Sequence, residues 1–178
     1  WVFRFGRMTG PKEPNGEALD YRIFKHFGDQ VELEHSHSIA EQPGKVRLLA
    51  WRDRAVLATW QDAGAWYVSH PSGDPQAILY VRDDLHTKYG YGINIEQAVT
   101  DNLGLFMRAM RADGRTETYA FTEADGSFST GLALKGASWG RADDTFGLSW
   151  MRNTISSDRR NYLTLGAISY FIGDGGLN

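Results

Sequence analysis

The stretch KYGYGINIEQAVTDNLGLFMRAMRADG, Lys88 to Gly114, decides how this chain folds. Read in steps of two from Tyr89, one register is mostly apolar or aromatic: Tyr89, Tyr91, Ile93, Ile95, Gln97 and Val99. The other register is small or polar: Gly90, Gly92, Asn94, Glu96, Ala98 and Thr100. A period of two predicts a β-strand with two unlike faces. Because Glu96 stands at the centre of the polar register, the question is which face meets water.

Composition limits the possible classes of protein. A length of 178 residues suits one domain, and 42% hydrophobic with 23% charged residues is an ordinary balance. The absence of cysteine excludes disulfides and thiolate metal sites. A formal net charge of -3 gives no global basic field for nucleic acid. No apolar run reaches the roughly 18 residues of a membrane-spanning helix, but the strands of a membrane barrel leave only a weak alternating signal.

Period-two runs recur along the whole chain and predict eight strands, with a ninth starting near Leu177. The predicted strands cover residues 1–9, 29–39, 45–54, 88–100, 104–112, 126–139, 144–153 and 161–172. Most have about ten residues, the length with which a tilted strand crosses a bilayer core. Strands of soluble sheets are usually shorter, about five or six residues.

Short and long connections alternate between these strands. Short turns are predicted at Glu41–Lys45, Thr100–Gly104, Gly140–Asp144 and Gly173–Gly176, and longer polar segments at 10–28, 55–87, 113–125 and 154–160. Outer-membrane barrels alternate tight periplasmic turns with longer extracellular loops. No long helix is expected, although residues 55–68 could hold a turn or two.

The alternation alone does not separate a packed soluble barrel from a membrane barrel, since only the direction of the apolar face differs. The unequal connections and the strand length favour the membrane barrel. Aromatic residues near predicted strand ends resemble an interfacial girdle: Tyr89, Tyr91, Trp139 and Trp150. The fold prediction is an all-β, antiparallel transmembrane barrel of the outer-membrane porin type, with residues 1–178 in a single domain that is incomplete at both ends.

The polar register supplies the candidate binding residues. They are Arg4, Glu32, Glu34, Arg47, Trp51, Asn94, Glu96, Arg108 and Lys135. Charges of both signs at mid-strand are costly in an apolar core unless paired, but they cost little along a water-filled pore. There they offer hydrogen bonds to a neutral polyhydroxylated solute, and Trp51 offers a flat surface to a sugar ring. Each residue could equally be an ordinary solvated charge.

Two other chemistries fit less well. Glu32 and Glu34 could suggest the carboxylate pair of a glycosidase, but such pairs usually come from different elements across a cleft. His35 and His37 could ligate a metal from one strand face, but no third ligand has clear spacing, so a girdle or surface role is favoured. No cofactor motif is present: the sequence contains no P-loop, Rossmann fingerprint or nucleophile elbow.

Several motifs resemble the carbohydrate-selective porins of the OprB family. They are RFGRMTGPKEPNG, VELEHSHSIAEQPGKVRLLAWRDRA, KYGYGINIEQAVTDNLGLFMRAMRADGRTETYAFTEADGSFSTGLALKG, WGRADDTFGLSW and YLTLGAISYFIGDGGLN, in family order. The resemblance implies a sixteen-stranded barrel in the Gram-negative outer membrane, of which this chain covers eight to nine strands. It also implies passive diffusion of sugars, without cofactor or covalent chemistry, past a constriction formed by residues that match Arg4, Glu32, Glu34, Arg47, Glu96 and Arg108.

The expected partners are mono- or oligosaccharides, outer-membrane lipid and lipopolysaccharide, with a monomer and a trimer both open. Two other functions also stay open. One is a small closed eight-stranded barrel with a structural or ligand-binding role, and the other is a sugar-active enzyme.

Overall fold

Seven long strands form one antiparallel sheet in a computed structural model that describes residues 1–14, 16–119 and 124–169. The sheet order is β1-β4-β5-β6-β7-β8-β9, and β2 and β3 form a separate two-stranded ribbon. The strands are β1 Val2–Met8, β2 Gly10–Pro11, β3 Leu19–Asp20, β4 Phe27–Ile39, β5 Gln42–Val56, β6 Leu85–Ala98, β7 Leu103–Ala112, β8 Gly126–Lys135 and β9 Thr145–Thr154. Each long strand therefore pairs with the next long strand in the chain, as in an up-and-down barrel wall.

The connections alternate in length, as predicted. Short connections at 40–41, 99–102 and 136–144 lie at one end of the sheet, which we call the short-turn end. Longer connections at 9–26, 57–84 and 113–125 lie at the other end, the long-loop end. The sheet thus has two very different rims.

The tightest turn differs in position from the prediction. Ile39 pairs with Gln42, so Ala40 and Glu41 alone reverse the chain. Both have positive φ, 50° and 65°, the geometry that a type I′ hairpin requires and that Asn-Gly usually supplies. Pro43, which was predicted to lie in this turn, instead belongs to β5.

The strand register sorts the side chains into two faces. Glu34 pairs with Arg47, which pairs with Asn94, which pairs with Arg108. Paired residues point to the same side of a sheet, so these residues and their period-two neighbours form what we call the polar face. The residues between them form the apolar face.

The larger of the two buried apolar clusters of the described residues lies outside the sheet. Helix α1, Trp60–Ser69, packs against helix α2, Ser157–Thr164, and against a 3₁₀ turn at Ala77–Tyr80. The cluster comprises Ala58, Trp60, Ala63, Ala77, Ile78, Tyr162, Leu163 and Ala167. The sheet therefore does not enclose a packed apolar interior of its own.

Both helices begin at a side-chain cap. The Thr59 hydroxyl accepts the amide of Asp62 at 3.1 Å, and the Ser156 hydroxyl accepts the amide of Arg159 at 3.1 Å. Such bonds satisfy amide donors that the first helical turn leaves free. Neither helix is long and apolar enough to cross a membrane, and no other helix of the described ranges is.

Seven of the eight predicted strands are confirmed, with three corrections. The strand predicted at 161–172 is wrong for its described part, because residues 157–164 are helical and 165–169 form no strand. The strand predicted at 126–139 ends at Lys135, and a 3₁₀ turn follows. Helix α1 is longer than the turn or two expected within 55–68. The predicted turn at 173–176 and the strand near Leu177 lie outside the described residues.

Candidate functional site

All nine candidate binding residues of the sequence lie on the polar face. The register places Arg4 beside Glu32 and Trp51 beside Gly90, and it places Lys135 in line with Ser129 on β8. Six of the nine are connected by ion pairs or hydrogen bonds. Their role in contacting a sugar stays a prediction.

Arg47 lies at the centre of this network. Its Nε donates to Oε2 of Glu34 at 3.0 Å, and its Nη1 donates to Oε1 of Glu96 at 2.9 Å. Glu34 comes from β4 and Glu96 from β6, so one guanidinium connects three adjacent strands. A planar guanidinium can serve two carboxylates in this way because its N–H groups point in fixed, different directions.

The network continues onto β1 through Arg4. Its Nη1 donates to Glu32 at 2.5 Å and to Glu34 at 3.1 Å. Lys45 adds a further cation, 3.4 Å from Glu34. Carboxylates and cations therefore alternate across β1, β4, β5 and β6, and the wall presents fixed charges of both signs.

Arg108 continues the polar face beyond the network. Asn94 donates to Glu96 at 3.4 Å, and Arg108 pairs with Asn94 in the register. The Arg108 side chain is exposed and lies 5.5 Å from the Phe106 ring, with no ion pair among the described residues. A concave region of about 390 Å³ lies over Arg47, Asn94 and Arg108. The N–H groups of Arg108 in this region are free to donate to a solute.

Trp51 lies in a second concave region of about 360 Å³, nearer the long-loop end, together with Gln30, Asp53 and Tyr119. A Cβ on Gly90 would come within 2.6 Å of the Trp51 ring. Glycine thus allows the indole to lie against the β6 backbone. The region combines an aromatic surface with polar groups, as in many sugar-binding sites, where hydroxyls need polar partners and ring faces need apolar ones.

The long connections cover the polar face at this end. Lys88, on the polar face of β6, is 5% exposed and donates to the carbonyl of Thr116 at 3.1 Å. Its ammonium lies 3.8 Å from Asp113 and 3.7 Å from Asp125. A buried ammonium needs such acceptors, so Lys88 fixes the 113–119 segment against the sheet.

A second buried ion pair joins two of the connections. Arg82 donates to both carboxylate oxygens of Glu117, at 2.7 and 2.6 Å. Glu117 also accepts the amide of Ala58 at 2.9 Å. These hydrogen bonds offset the cost of burying the Glu117 carboxylate.

Tyr119 anchors the same segment to the ribbon. Its hydroxyl donates to the carbonyl of Pro11 at 2.8 Å, and burial raises the pKa of Tyr119 to about 12. In strand β3 of the ribbon, hydrogen bonds from Arg22 hold the pKa of Asp20 well below its usual range. The phenol therefore stays neutral, and the carboxylate charged, at neutral pH.

Lys135 lies apart from the other eight predicted residues. It ends β8 opposite Thr145, at the short-turn end. Sequence reasoning also missed several residues of the polar face. Lys45, Asp53 and Lys88 share the period-two register of Arg47 and Glu96, so the alternation could have identified them; Tyr119, in a loop, gave no such signal.

The apolar face is uncovered over the described strands. Its large exposed side chains include Phe3, Phe5, Ile39, Leu48, Tyr89, Tyr91, Leu105, Phe146, Leu148 and Trp150. An uncovered apolar surface of this extent is typical of contact with a membrane or another protein. Of the predicted girdle residues, Tyr89 lies near the long-loop end and Trp139 in the 3₁₀ turn at the short-turn end. Trp150 lies in the middle of β9, not near its end.

His35 and His37 point to the apolar face, where they stack on each other with ring centroids 5.7 Å apart. The Trp1 ring lies against His35, with centroids 4.3 Å apart and the ring planes tilted by 30°, and His37 lies 2.9 Å from the side-chain oxygen of Gln97. No group of three or more potential metal ligands occurs among the residues that the structure describes. This arrangement is an aromatic cluster at the rim of the apolar face.

Comparison with known proteins gives two matches. A family model described as "Carbohydrate-selective porin, OprB family" matches residues 9–175. A solved high-pH structure of OprB from Pseudomonas putida matches with a TM-score of 0.62 and 23% sequence identity over 84% of this chain and 36% of that one. The chain therefore spans about a third of the length of that structure, and the likeness shows the barrel-wall fold. Curated protein sequences give no significant match.

Proposed function

Since this chain belongs to the OprB family of carbohydrate-selective porins, we propose that it forms part of the wall of a pore in a Gram-negative outer membrane. Sugars diffuse passively through that pore along the polar face. Residues 1–178 are then part of one barrel domain, and the long-loop end faces the outside of the cell. The protein is a transporter without covalent chemistry or cofactor.

The observation that carries the proposal is the charged network on one face and the uncovered apolar surface on the other. Arg4, Glu32, Glu34, Arg47 and Glu96 connect four strands by ion pairs. Glu34, at the centre, is 5% exposed, and the other four side chains remain at least partly accessible from the polar face. In a packed barrel the apolar side chains would fill the interior. With the apolar face in lipid, the same register leaves the charges in water, where they are stable.

Selectivity for sugars follows from the chemistry of this wall. Carboxylates accept and guanidinium groups donate, so neighbouring hydroxyls of one sugar can each replace a hydrogen bond to water. Weak, repeated contacts of this kind allow entry and escape, as conduction requires. The Trp51 region at the long-loop end supplies an aromatic surface at the pore entrance.

The other expected partners follow from the same orientation. Outer-membrane lipid covers the apolar face, and lipopolysaccharide surrounds the long-loop end. The stoichiometry, monomer or trimer, does not affect the path along the polar face.

The test is swelling of liposomes that contain the protein, with sugars and non-sugar solutes matched in size. We expect faster entry of the sugars. Equal rates for all solutes of one size would reject sugar selectivity and leave a general pore. Turnover of a glycoside that disappears in Glu32→Gln or Glu96→Gln would instead support an enzyme.

A matched pair of variants locates the path. Arg108→Gln removes a free donor on the polar face, and Arg111→Gln removes the same charge three residues further along β7, on the apolar face. Since one hydrogen bond contributes about 0.5–1.5 kcal/mol, Arg108→Gln should slow sugar entry about two- to tenfold. Equal rates in both variants would contradict a path along the polar face.

A further inference from the structure

Arginines occur on the apolar face, but only at the long-loop end. They are Arg7, Arg52, Arg54, Arg111 and Arg152. Each lies within four residues of the point where its strand meets a long connection or, for β9, where the strand ends. The short-turn half of this face carries no lysine or arginine in the described strands. We call these five residues the arginine band.

The strand register aligns the band along the rim. Arg52 pairs with Tyr89, and the carbonyl of Tyr89 accepts the amide of Asp113, so these three residues form one row across β5, β6 and the end of β7. Arg111 lies two residues before Asp113 on β7. In the next row, Arg111 pairs with Gly126 and Gly126 pairs with Thr154. Arg152 lies two residues before Thr154 on β9. This step of about one residue per strand is the stagger that strand tilt produces in a barrel. The band therefore follows the rim at one height.

One part of the band is fixed internally. Arg7 and Arg52 both bind Asp29, with contacts of 2.6 Å and 2.9 Å. Their guanidinium carbons lie 4.1 and 5.3 Å from the Phe27 ring. Asp29 is the one carboxylate on the apolar face of the seven long strands. One carboxylate against five guanidinium groups leaves a strong positive excess.

The other three arginines have no such partner. Arg54, Arg111 and Arg152 are exposed, and none forms an ion pair within the part of the chain that the structure describes. They lie between the uncovered apolar side chains and the long loops, at the level where a bilayer places its head groups. A guanidinium group at this level meets phosphate with two parallel hydrogen bonds.

We propose that the arginine band binds the phosphate groups of lipopolysaccharide in the outer leaflet. The proposal rests on the proposed function, because that function sets the long-loop end outside. Charge complementarity favours this occupant: the band is cationic, recurs along the rim on β1, β5, β7 and β9, and is adjacent to the apolar surface that acyl chains would cover. A cation close to an anionic lipid surface is attracted to it.

The test measures binding of bisphosphorylated lipid A to the protein in detergent micelles by native mass spectrometry. Lipid A with both phosphates removed, and phosphatidylglycerol, are run in parallel. We expect the wild-type protein to prefer the bisphosphorylated form. In the triple variant Arg54→Gln, Arg111→Gln, Arg152→Gln, affinity should fall about tenfold, which corresponds to roughly 1.4 kcal/mol. Equal wild-type affinity for phosphorylated and dephosphorylated lipid A would overturn the proposal, as would a preference for phosphatidylglycerol.

The matched control removes the same charge elsewhere. Lys45→Gln, Lys135→Gln and Arg141→Gln change exposed residues at the short-turn end, away from the band, and should leave the lipid A affinity unchanged. An equal loss of lipid A affinity in both triple variants would show that the loss depends on net charge alone, and this result would overturn the proposal. If the band variant fails to fold, the three single variants replace it, each with an expected loss of two- to threefold, about 0.4–0.7 kcal/mol; no loss in any of them contradicts the band.

Two further readouts separate this proposal from its premise. Sugar entry into liposomes should be the same for the band variant and the wild-type protein, because the band faces away from the pore. If the wild-type protein shows no sugar preference, the proposed function is wrong, but the lipid A comparison still tests whether the arginine band binds phosphate. A changed oligomeric state with unchanged lipid affinity would assign the band to a contact between copies and overturn the proposal.

Discussion

The same residue type serves two different electrostatic settings on the two faces of this sheet. On the polar face, Arg4 and Arg47 are held by Glu32, Glu34 and Glu96 in a network with charges of both signs. On the apolar face, Asp29 pairs with Arg7 and Arg52, and the other three arginines of the band have no ion pair among the described residues. A paired charge in a wet wall contributes local hydrogen bonds, whereas an unpaired charge at a rim needs a counter-ion from outside the chain. The difference shows that face and height in the sheet, not residue type, decide what an arginine does.

The largest expected effect tests the faces themselves. Leu48 and Leu49 are neighbours in β5, but Leu48 lies on the apolar face and Leu49 on the polar face. Leu48→Arg should lower the free energy of unfolding in lipid vesicles by about 2–4 kcal/mol, since it places a charge at mid-membrane. Leu49→Arg should cost much less. Urea unfolding measures the free energy of unfolding of both variants, and an equal loss in the two would contradict the assignment of the faces.

The next effect sharpens the description of the polar face. A Cβ at Gly90 would meet the Trp51 ring at 2.6 Å and the Arg111 carbonyl at 2.8 Å, whereas a Cβ at Gly6 would meet nothing within 4 Å. Gly90→Ala should therefore destabilise by about 1–3 kcal/mol through overpacking. Gly6→Ala, on the same face, should be close to neutral. The urea midpoints of the two variants give the comparison, and a neutral Gly90→Ala would mean that Trp51 does not lie on the β6 backbone.

A smaller effect on stability, but a clear one on transport, is expected at Arg47. Arg47→Ala breaks a partly exposed ion pair to Glu96, which typically contributes at most about 1 kcal/mol. It also breaks a pair to the buried Glu34, which keeps Arg4 and Lys45 as partners. Sugar entry into liposomes should change severalfold, because the variant leaves Glu34 and Glu96 without their shared cation. Arg111→Ala, on the opposite face, should change neither the entry rate nor the unfolding midpoint. A variant Arg47→Ala that mainly unfolds would place this residue in a structural role.

The smallest effect concerns the loop cover of the polar face. Burial raises the pKa of Tyr119 to about 12, above the value of about 10 for an exposed phenol. A raised folded-state pKa contributes stability that is complete below the unfolded pKa and is lost as the pH rises towards 12. The bond to Pro11 should therefore weaken above pH 10. Hydrogen exchange of the 113–119 segment measures this, and Tyr119→Phe should remove that pH dependence; an unchanged dependence would exclude Tyr119 as its cause.

Much of the sheet was predictable because its signal is local. A period of two in Tyr89–Val99 states which side chains share a face, without knowledge of the partner strand. The same alternation placed all nine candidate residues on one face. Lys45 and Lys88 are the first residues of the strands predicted at 45–54 and 88–100, so the same alternation could have identified them.

Helix α2 was missed and helix α1 was expected only as a turn or two, although the caps of both are present in the sequence. Thr59 and Asp62, and Ser156 with Asp158, are ordinary start signals, but the alternating apolar residues after Asn161 resemble a strand. Ala40 and Glu41 form a turn without glycine because the pairing of the long strands β4 and β5 holds the chain in that geometry. Propensity did not indicate it.

The sequence by itself determined the strands, their two faces and the alternation of short and long connections, because each depends on residues close in the chain. Only the tertiary structure decided which charges meet. Arg47 contacts Glu34 and Glu96 across 13 and 49 residues of sequence, and Lys88 is buried by a loop that the alternation could not position. It also decided that Arg52, Arg111 and Arg152 lie at one height, because the stagger between strands is a property of the sheet.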